Sequence, residues 1–320
     1  MKLNKIKLAL GFVTAAAMAM PIVASAAADQ EKAMKNSANW AHPRGQQNNQ
    51  AYSKLTQINK GNVKNLKAAW TLSTGVNRGH EGSPLVIGNM LYVHTAFPNN
   101  VYALDLNNNQ KVVWSYFPKQ DPSVQAVLCC DNVNRGLGFG NGKIFLQQND
   151  GNLVALNAKT GAKVWSTLNT DPKVGATNTN APHVINDKVL TGCSGAEFGV
   201  RCFIAAYNIE DGSLAWKAFS TGPDSEVLIG ADFNKENPLY SALSVYEDVN
   251  GGNVEGGSFK RIPNDQLQGG TTDLGLKTWL KPQAVKDGWQ HGGGSTWGWW
   301  PYDAKTNLVY YGTGNPSVWN

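Results

Sequence analysis

Three stretches of this chain repeat one another at a fixed spacing, and that period restricts the fold more than any other feature. Val101-Tyr-Ala-Leu-Asp-Leu106 running on to Trp114, Leu153 to Trp165, and Ile204 to Trp216 share one plan. Each reads as a short apolar strand, a polar turn and a second strand ending on tryptophan. The tryptophans stand 51 residues apart in both intervals. Turn glycines at 161 and 212 supply the positive φ of a tight hairpin, and the strand alanines 103, 155 and 206 leave room for an indole in a neighbouring sheet. Second hairpins lie between the repeats, at Ser83 to Val93 around Gly88-Asn89 and at Ala181 to Leu190 around Asn186-Asp187. Four short strands per unit of about 50 residues predict an all-β fold, a β-propeller. Trp300 to Tyr311 reads as a degenerate fourth copy, and Trp70 as the close of an earlier strand.

Composition agrees. Charged residues make up 16%, with 34 glycines and 11 tryptophans, which suits a soluble β protein with many tight turns. Lys2, Lys5 and Lys7, the apolar run Leu8 to Val23 and Ala24-Ser25-Ala26 form a secretory signal, expected to be cut after Ala26. The rival reading, an uncleaved anchor, is weakened by Gly11, Thr14 and Pro21. Subtracting the three leader lysines from the formal charge of +5 leaves +2, which argues against nucleic acid and anionic membranes as partners. Residues 27–320 then form a partial propeller. Residues 240–291 break its rhythm as a polar, Gly-rich insertion, and the sequence stops after a strand with no closing partner.

Export favours disulfides, and the four cysteines are unevenly placed. Cys129 and Cys130 are neighbours, either as a strained vicinal disulfide or as thiols bonded elsewhere or free. Arg135 nearby offers a planar fork for a carboxylate. Cys193 and Cys202 bracket Ser194-Gly195-Ala196-Glu197, either as a second disulfide across one hairpin or as two buried thiols. No His-x-x-x-His spacing supports zinc, and no Gly-x-Gly-x-x-Gly opens a helix after a strand, so nicotinamide binding has no support.

Together these features resemble the pyrroloquinoline quinone (PQQ)-dependent alcohol dehydrogenases, the methanol dehydrogenase large subunits in particular. The resemblance rests on Gly79-His80-Glu81-Gly82-Ser83-Pro84, on Cys129-Cys130-Asp-Asn-Val-Asn-Arg135-Gly136 and on Ser194-Gly195-Ala196-Glu197 to Arg201. Two further motifs are Gly292 to Trp299 and Gly312-Thr-Gly-Asn315-Pro316 to Asn320. It covers nearly all of the chain after the leader and corresponds to about the first half of an eight-bladed propeller. It implies a Cys129–Cys130 disulfide against one face of the quinone and the Trp297 indole against the other. Arg135 would bind a cofactor carboxylate, with Glu81, Thr179, Ser194, Gly195, Ala196 and Ser295 around the rim. Glu197 and Asn315 would be hard donors to Ca²⁺ or a lanthanide ion, with the wording of the motifs leaning to the lanthanide branch.

The resemblance also implies oxidation of methanol or another short primary alcohol in the periplasm, a c-type cytochrome as acceptor, and a homodimer. The catalytic base is expected beyond Asn320, so no catalytic residue is assigned and the 320 residues alone are expected to be inactive. Two other readings remain: a secreted propeller scaffold without cofactor, and a PQQ dehydrogenase for a larger alcohol, which the insertion keeps open. The cysteine doublet, Arg135, Glu197 and Asn315 separate the enzyme from the scaffold, which has no use for that set.

Overall fold

A computed structural model describes residues 28–222 and 292–314, with the backbone of two short strands at 246–248 and 259–261. The expected leader, most of the insertion and Asn315 lie outside the described residues. After helix α1 (Ala28–Lys35) and a long irregular segment comes β1 (His80–Ser83). The next four strands, β2 (Leu85–Ile87), β3 (Met90–His94), β4 (Val101–Asp105) and β5 (Lys111–Tyr116), form an antiparallel sheet in that order. A second sheet contains β6 (Asn134–Gly140), β7 (Lys143–Gln147), β8 (Asn152–Asn157) and β9 (Lys163–Leu168), and β1 joins it alongside β6. The third contains β10 (His183–Ile185), β11 (Lys188–Thr191), β12 (Phe203–Asn208) and β13 (Leu214–Phe219). These are three propeller blades. Two hairpins follow, β14 (Tyr246–Asp248) with β15 (Phe259–Arg261), and β16 (Tyr302–Asp303) with β17 (Leu308–Val309).

The repeat tryptophans join one blade to the next. The Trp114 indole N–H donates to the carbonyl of Ala158 at 3.0 Å, and that of Trp165 to the carbonyl of Ile209 at 3.2 Å. Both acceptors lie 44 residues downstream, in the following blade. Gly161 and Gly212, each with φ +71°, have the same indoles pressed against them: an added Cβ would stand 2.5 Å from Trp114 and 2.6 Å from Trp165. The turn glycines therefore serve backbone conformation and blade docking together. Ala103, Ala155 and Ala206 are register partners of the three tryptophans within the same sheet, each beside a β-bulge. The expected alanine pocket in a neighbouring sheet is replaced by this same-sheet pairing, and the neighbour supplies glycine and carbonyl.

One further expectation changes. Trp70 closes no strand: it is 41% exposed and no described strand covers it. The hairpin expected at 300–311 forms, with Trp300 just ahead of its first strand. That indole is 1% exposed and packs with Ile185, Leu190, Ile204 and Ala206 of the third blade, because it stacks on His183 (5.1 Å, 21° between planes).

The docking contact is testable through its glycines. Gly88 also has a left-handed φ (+60°) but open space around it, so Gly88→Ala should cost about 1 kcal/mol from backbone strain. Gly161→Ala and Gly212→Ala should each lose about 1–3 kcal/mol more through overpacking against the indole. The check is a lower urea midpoint at unchanged slope; equal losses at all three positions would remove Trp114 and Trp165 from the account.

Candidate active site

Strands alternate in direction within each blade, so the links between blades and the link from second to third strand open on one edge. The expected site residues outside β1 fall on those links. Cys129, Cys130 and Arg135 lie in or just after the β5–β6 link, Thr179 in the β9–β10 link, and Ser194 to Glu197 in the β11–β12 link. Ser295 and Trp297 lie ahead of β16. Glu81 reaches the same edge through β1, which pairs parallel with β6 in the register His80↔Asn134 and Ser83↔Gly136.

That register sets Glu81 beside Arg135, with a carboxylate oxygen 3.0 Å from the guanidinium. Two glycines permit so close an approach. A Cβ on Gly82 would overlap the His94 ring at 2.2 Å, and one on Gly79 would stand 2.7 Å from the carbonyl of Asp131. Arg135 also donates to the Thr179 hydroxyl, its backbone N–H donates to the Thr179 carbonyl at 3.0 Å, and its guanidinium lies 4.6 Å from the Trp297 ring centre. Thr179 is fully buried and the Arg135 side chain only 11% exposed. Burial pulls the Arg135 pKa down and Glu81 pushes it back; a guanidinium stays charged under both.

Cys129 and Cys130 are bonded to each other. Cys130, Asp131 and Asn132 all have left-handed φ, between 61° and 66°, so the chain reverses tightly before β6. Val127, just ahead of the pair, accepts from the Thr177 hydroxyl at 3.4 Å. Thr177 in turn shares a 3.0 Å hydroxyl contact and a two-way backbone bridge with Ser194. Gly195 caps a single 3₁₀ turn, Ala196–Phe198, at φ +102°; a Cβ there would meet the Gly175 carbonyl at 2.0 Å, so only glycine fits. Ser295 pairs by backbone with Gly314, and a Cβ on Gly314 would press on the Trp297 indole nitrogen at 3.0 Å.

The β-propeller domain described as PQQ, glucose/ethanol/alcohol dehydrogenase, matches residues 40–238. The chain belongs to this family. The lanthanide-dependent methanol dehydrogenase of Methylorubrum extorquens is 49% identical over 272 residues, spanning 85% of this chain and 40% of that protein. Subunit 1 of the cytochrome c methanol dehydrogenase of Paracoccus denitrificans is 43% identical over 319 residues, spanning 97% of this chain and 45% of that protein. Among solved structures, a europium-containing methanol dehydrogenase superposes with a TM-score of 0.73 at 44% identity, over 91% of this chain and 45% of the other. The chain thus spans about two fifths of the length of the relatives it matches.

The structure gathers Glu81, Thr179 and Trp297 around Arg135, and Thr177 ties Val127, two residues ahead of the doublet, to Ser194. The residues present fit a flat, polar-rimmed anion. Arg135 is a mostly buried cation, Trp297 offers an indole face, and the Ser295 hydroxyl is buried without a protein partner. Glu197, partly buried on the 3₁₀ turn, has the oxygen chemistry of a hard-cation ligand; its expected partner Asn315 lies outside the described residues.

Sequence reasoning missed Thr177, Thr296, Trp299 and His94. Trp299 lies 5.1 Å from the Arg44 guanidinium and 5.9 Å from that of Arg135. The second glycine of Gly79-His-Glu-Gly82 was a signal for the His94 contact; nothing local marked the others.

His94 and His183 are fully buried with pKa values pulled down to about 4 by burial, and His42 is held well below its usual range by burial and by His183. Folded, these rings stay neutral where the unfolded chain would protonate them near 6.5. The unfolded state therefore binds more protons in that window, and stability should fall as pH drops from about 6.5 towards about 4, by about 1.4 kcal/mol for each pKa unit of depression. Urea midpoints at pH 7, 5.5 and 4.5 measure this. A flat series would mean that these rings carry protons in the fold.

Proposed function

We propose that this chain supplies the quinone-binding blades of a periplasmic PQQ-dependent dehydrogenase that oxidises methanol or another short primary alcohol to the aldehyde. Electrons then pass to a c-type cytochrome. The observation carrying this reading is Arg135, a mostly buried guanidinium shared by a carboxylate, a hydroxyl and an indole on one edge of the blades. Relatives named as lanthanide-dependent, europium-containing and cytochrome c methanol dehydrogenases support methanol, a cytochrome acceptor and a hard cation, lanthanide or calcium. The expected leader at residues 1–26 is the ground for export.

When bound, a quinone would supply a two-electron acceptor for the alcohol, and a hard cation would supply Lewis acidity. The chain's own groups do the holding. Arg135 binds a carboxylate through its fork, and Glu81 fixes which way that fork points while balancing its charge. Thr179 holds the other side of the guanidinium. Trp297 gives a flat, polarizable wall, and the bonded pair Cys129–Cys130 gives a second. Ser295, buried with its hydroxyl unpaired, supplies a polar contact to the rim. Glu197 and Asn315 offer a carboxylate and an amide oxygen to the cation.

The test is the whole dehydrogenase to which these blades are proposed to belong, isolated with its cofactor. It should absorb in the near ultraviolet and reduce an artificial acceptor in the presence of methanol. Arg135→Lys keeps the charge and loses the fork, so quinone binding should weaken by about 1.5–3 kcal/mol, roughly 10- to 150-fold. Absence of both the absorbing group and methanol-dependent reduction would sink the reading, and preference for a long-chain alcohol would shift the substrate.

A further inference from the structure

The link between β11 and β12 is much longer than its counterpart in the preceding blade. Between β7 and β8 the chain turns within residues 148–151, closed by backbone bonds from Gln148 to Asn152 and from Gly151 to Gln148. Between β11 and β12 it runs from 192 to 202 and carries Ser194 to Glu197. Gly195 (φ +102°) and Gly199 (φ +87°) flank the 3₁₀ turn that bears Glu197. A long loop with two left-handed glycines needs anchors at its base to fix where its carboxylate stands.

Two ties at its feet do so. Cys193 and Cys202, both fully buried, are bonded to each other. Thr296, also fully buried, stitches those feet to the segment carrying Trp297. Its N–H donates to the Cys193 carbonyl at 2.8 Å, and its hydroxyl accepts from the Cys193 N–H at 3.0 Å and donates to the Phe203 carbonyl. The Cys202 N–H reaches the Gly293 carbonyl at 3.4 Å. Gly192 takes no side chain because the Thr296 carbonyl would lie 1.9 Å from its Cβ. The foot of the Glu197 loop and the residue before Trp297 are therefore one hydrogen-bonded unit, closed by a covalent bond.

We propose that Cys193–Cys202 and Thr296 are positioning residues that set where the Glu197 carboxylate stands relative to the Trp297 indole. This builds on the quinone and metal reading above. The disulfide fixes the width of the loop's base, and Thr296 fixes its place against the neighbouring link. Loss of either lets Glu197 drift from the cation while the blades stay folded.

The test uses the isolated protein, stripped of metal and titrated with Tb³⁺ in competition with a chelator, alongside thermal unfolding. The Cys193→Ser/Cys202→Ser double variant and Thr296→Val should each bind Tb³⁺ about tenfold more weakly, the range expected for groups that orient a ligand. Thr296→Ser, which keeps the hydroxyl, should bind close to the unaltered protein. Clamp variants with unchanged Tb³⁺ affinity, whatever their melting temperature, would overturn the proposal, provided Glu197→Gln weakens binding. Should Glu197→Gln leave affinity unchanged as well, the metal reading falls and takes the clamp with it. If the double variant does not fold, the Thr296 pair decides alone.

Discussion

A tryptophan at the end of one blade, held by the backbone of the next, is the contact on which this architecture depends. A single four-stranded sheet has two faces and cannot bury both by itself. The Trp114 and Trp165 indoles solve this by lying against a turn glycine of the following blade and donating to a carbonyl there. The indole is both large and directional: its area drives association, and its single N–H fixes the angle. Two consecutive blade junctions use the same contact, so the blades meet at a repeated spacing.

That spacing is what makes a site possible at the edge. Arg135 belongs to one blade, Thr179 to the link entering the next, and Trp297 to the segment ahead of β16. A hydrogen bond reaches about 3 Å, so a shift of even 1 Å between blades would separate the guanidinium from its partners. The polar groups in turn restrict what can occupy the space between them. One mostly buried cation, already matched by Glu81, can accept an anionic ligand only by sharing its donors, which a five-donor guanidinium can do and an ammonium does poorly.

Close backbone approach recurs throughout the site. Gly82 lies against His94, Gly195 against Gly175, Gly192 against Thr296, and Gly314 against Trp297. At each of these a methyl group would displace a functional segment. The glycines of the motifs thus set distances as much as backbone angles. In Gly79-His80-Glu81-Gly82 both glycines are pressed by other segments, Gly79 by Ala96 and Asp131 and Gly82 by His94. At Gly192 and Gly314 the neighbour lies far off in sequence, and nothing nearby announced it.

The sequence by itself determined the blade plan, because a 51-residue period of strand, turn and tryptophan is a local pattern repeated, and local patterns need no knowledge of distant contacts. It also pointed to the doublet Cys129–Cys130, Arg135 and Trp297 through their motifs. Only the tertiary structure decided that Cys193 bonds Cys202, that β1 runs parallel beside β6 and so places Glu81 on Arg135, and that Trp300 is a core residue ahead of its hairpin. Each of these depends on which surfaces meet once the blades dock. A contact such as Thr296 to Cys193, 103 residues apart, exists only after blade packing has fixed both ends.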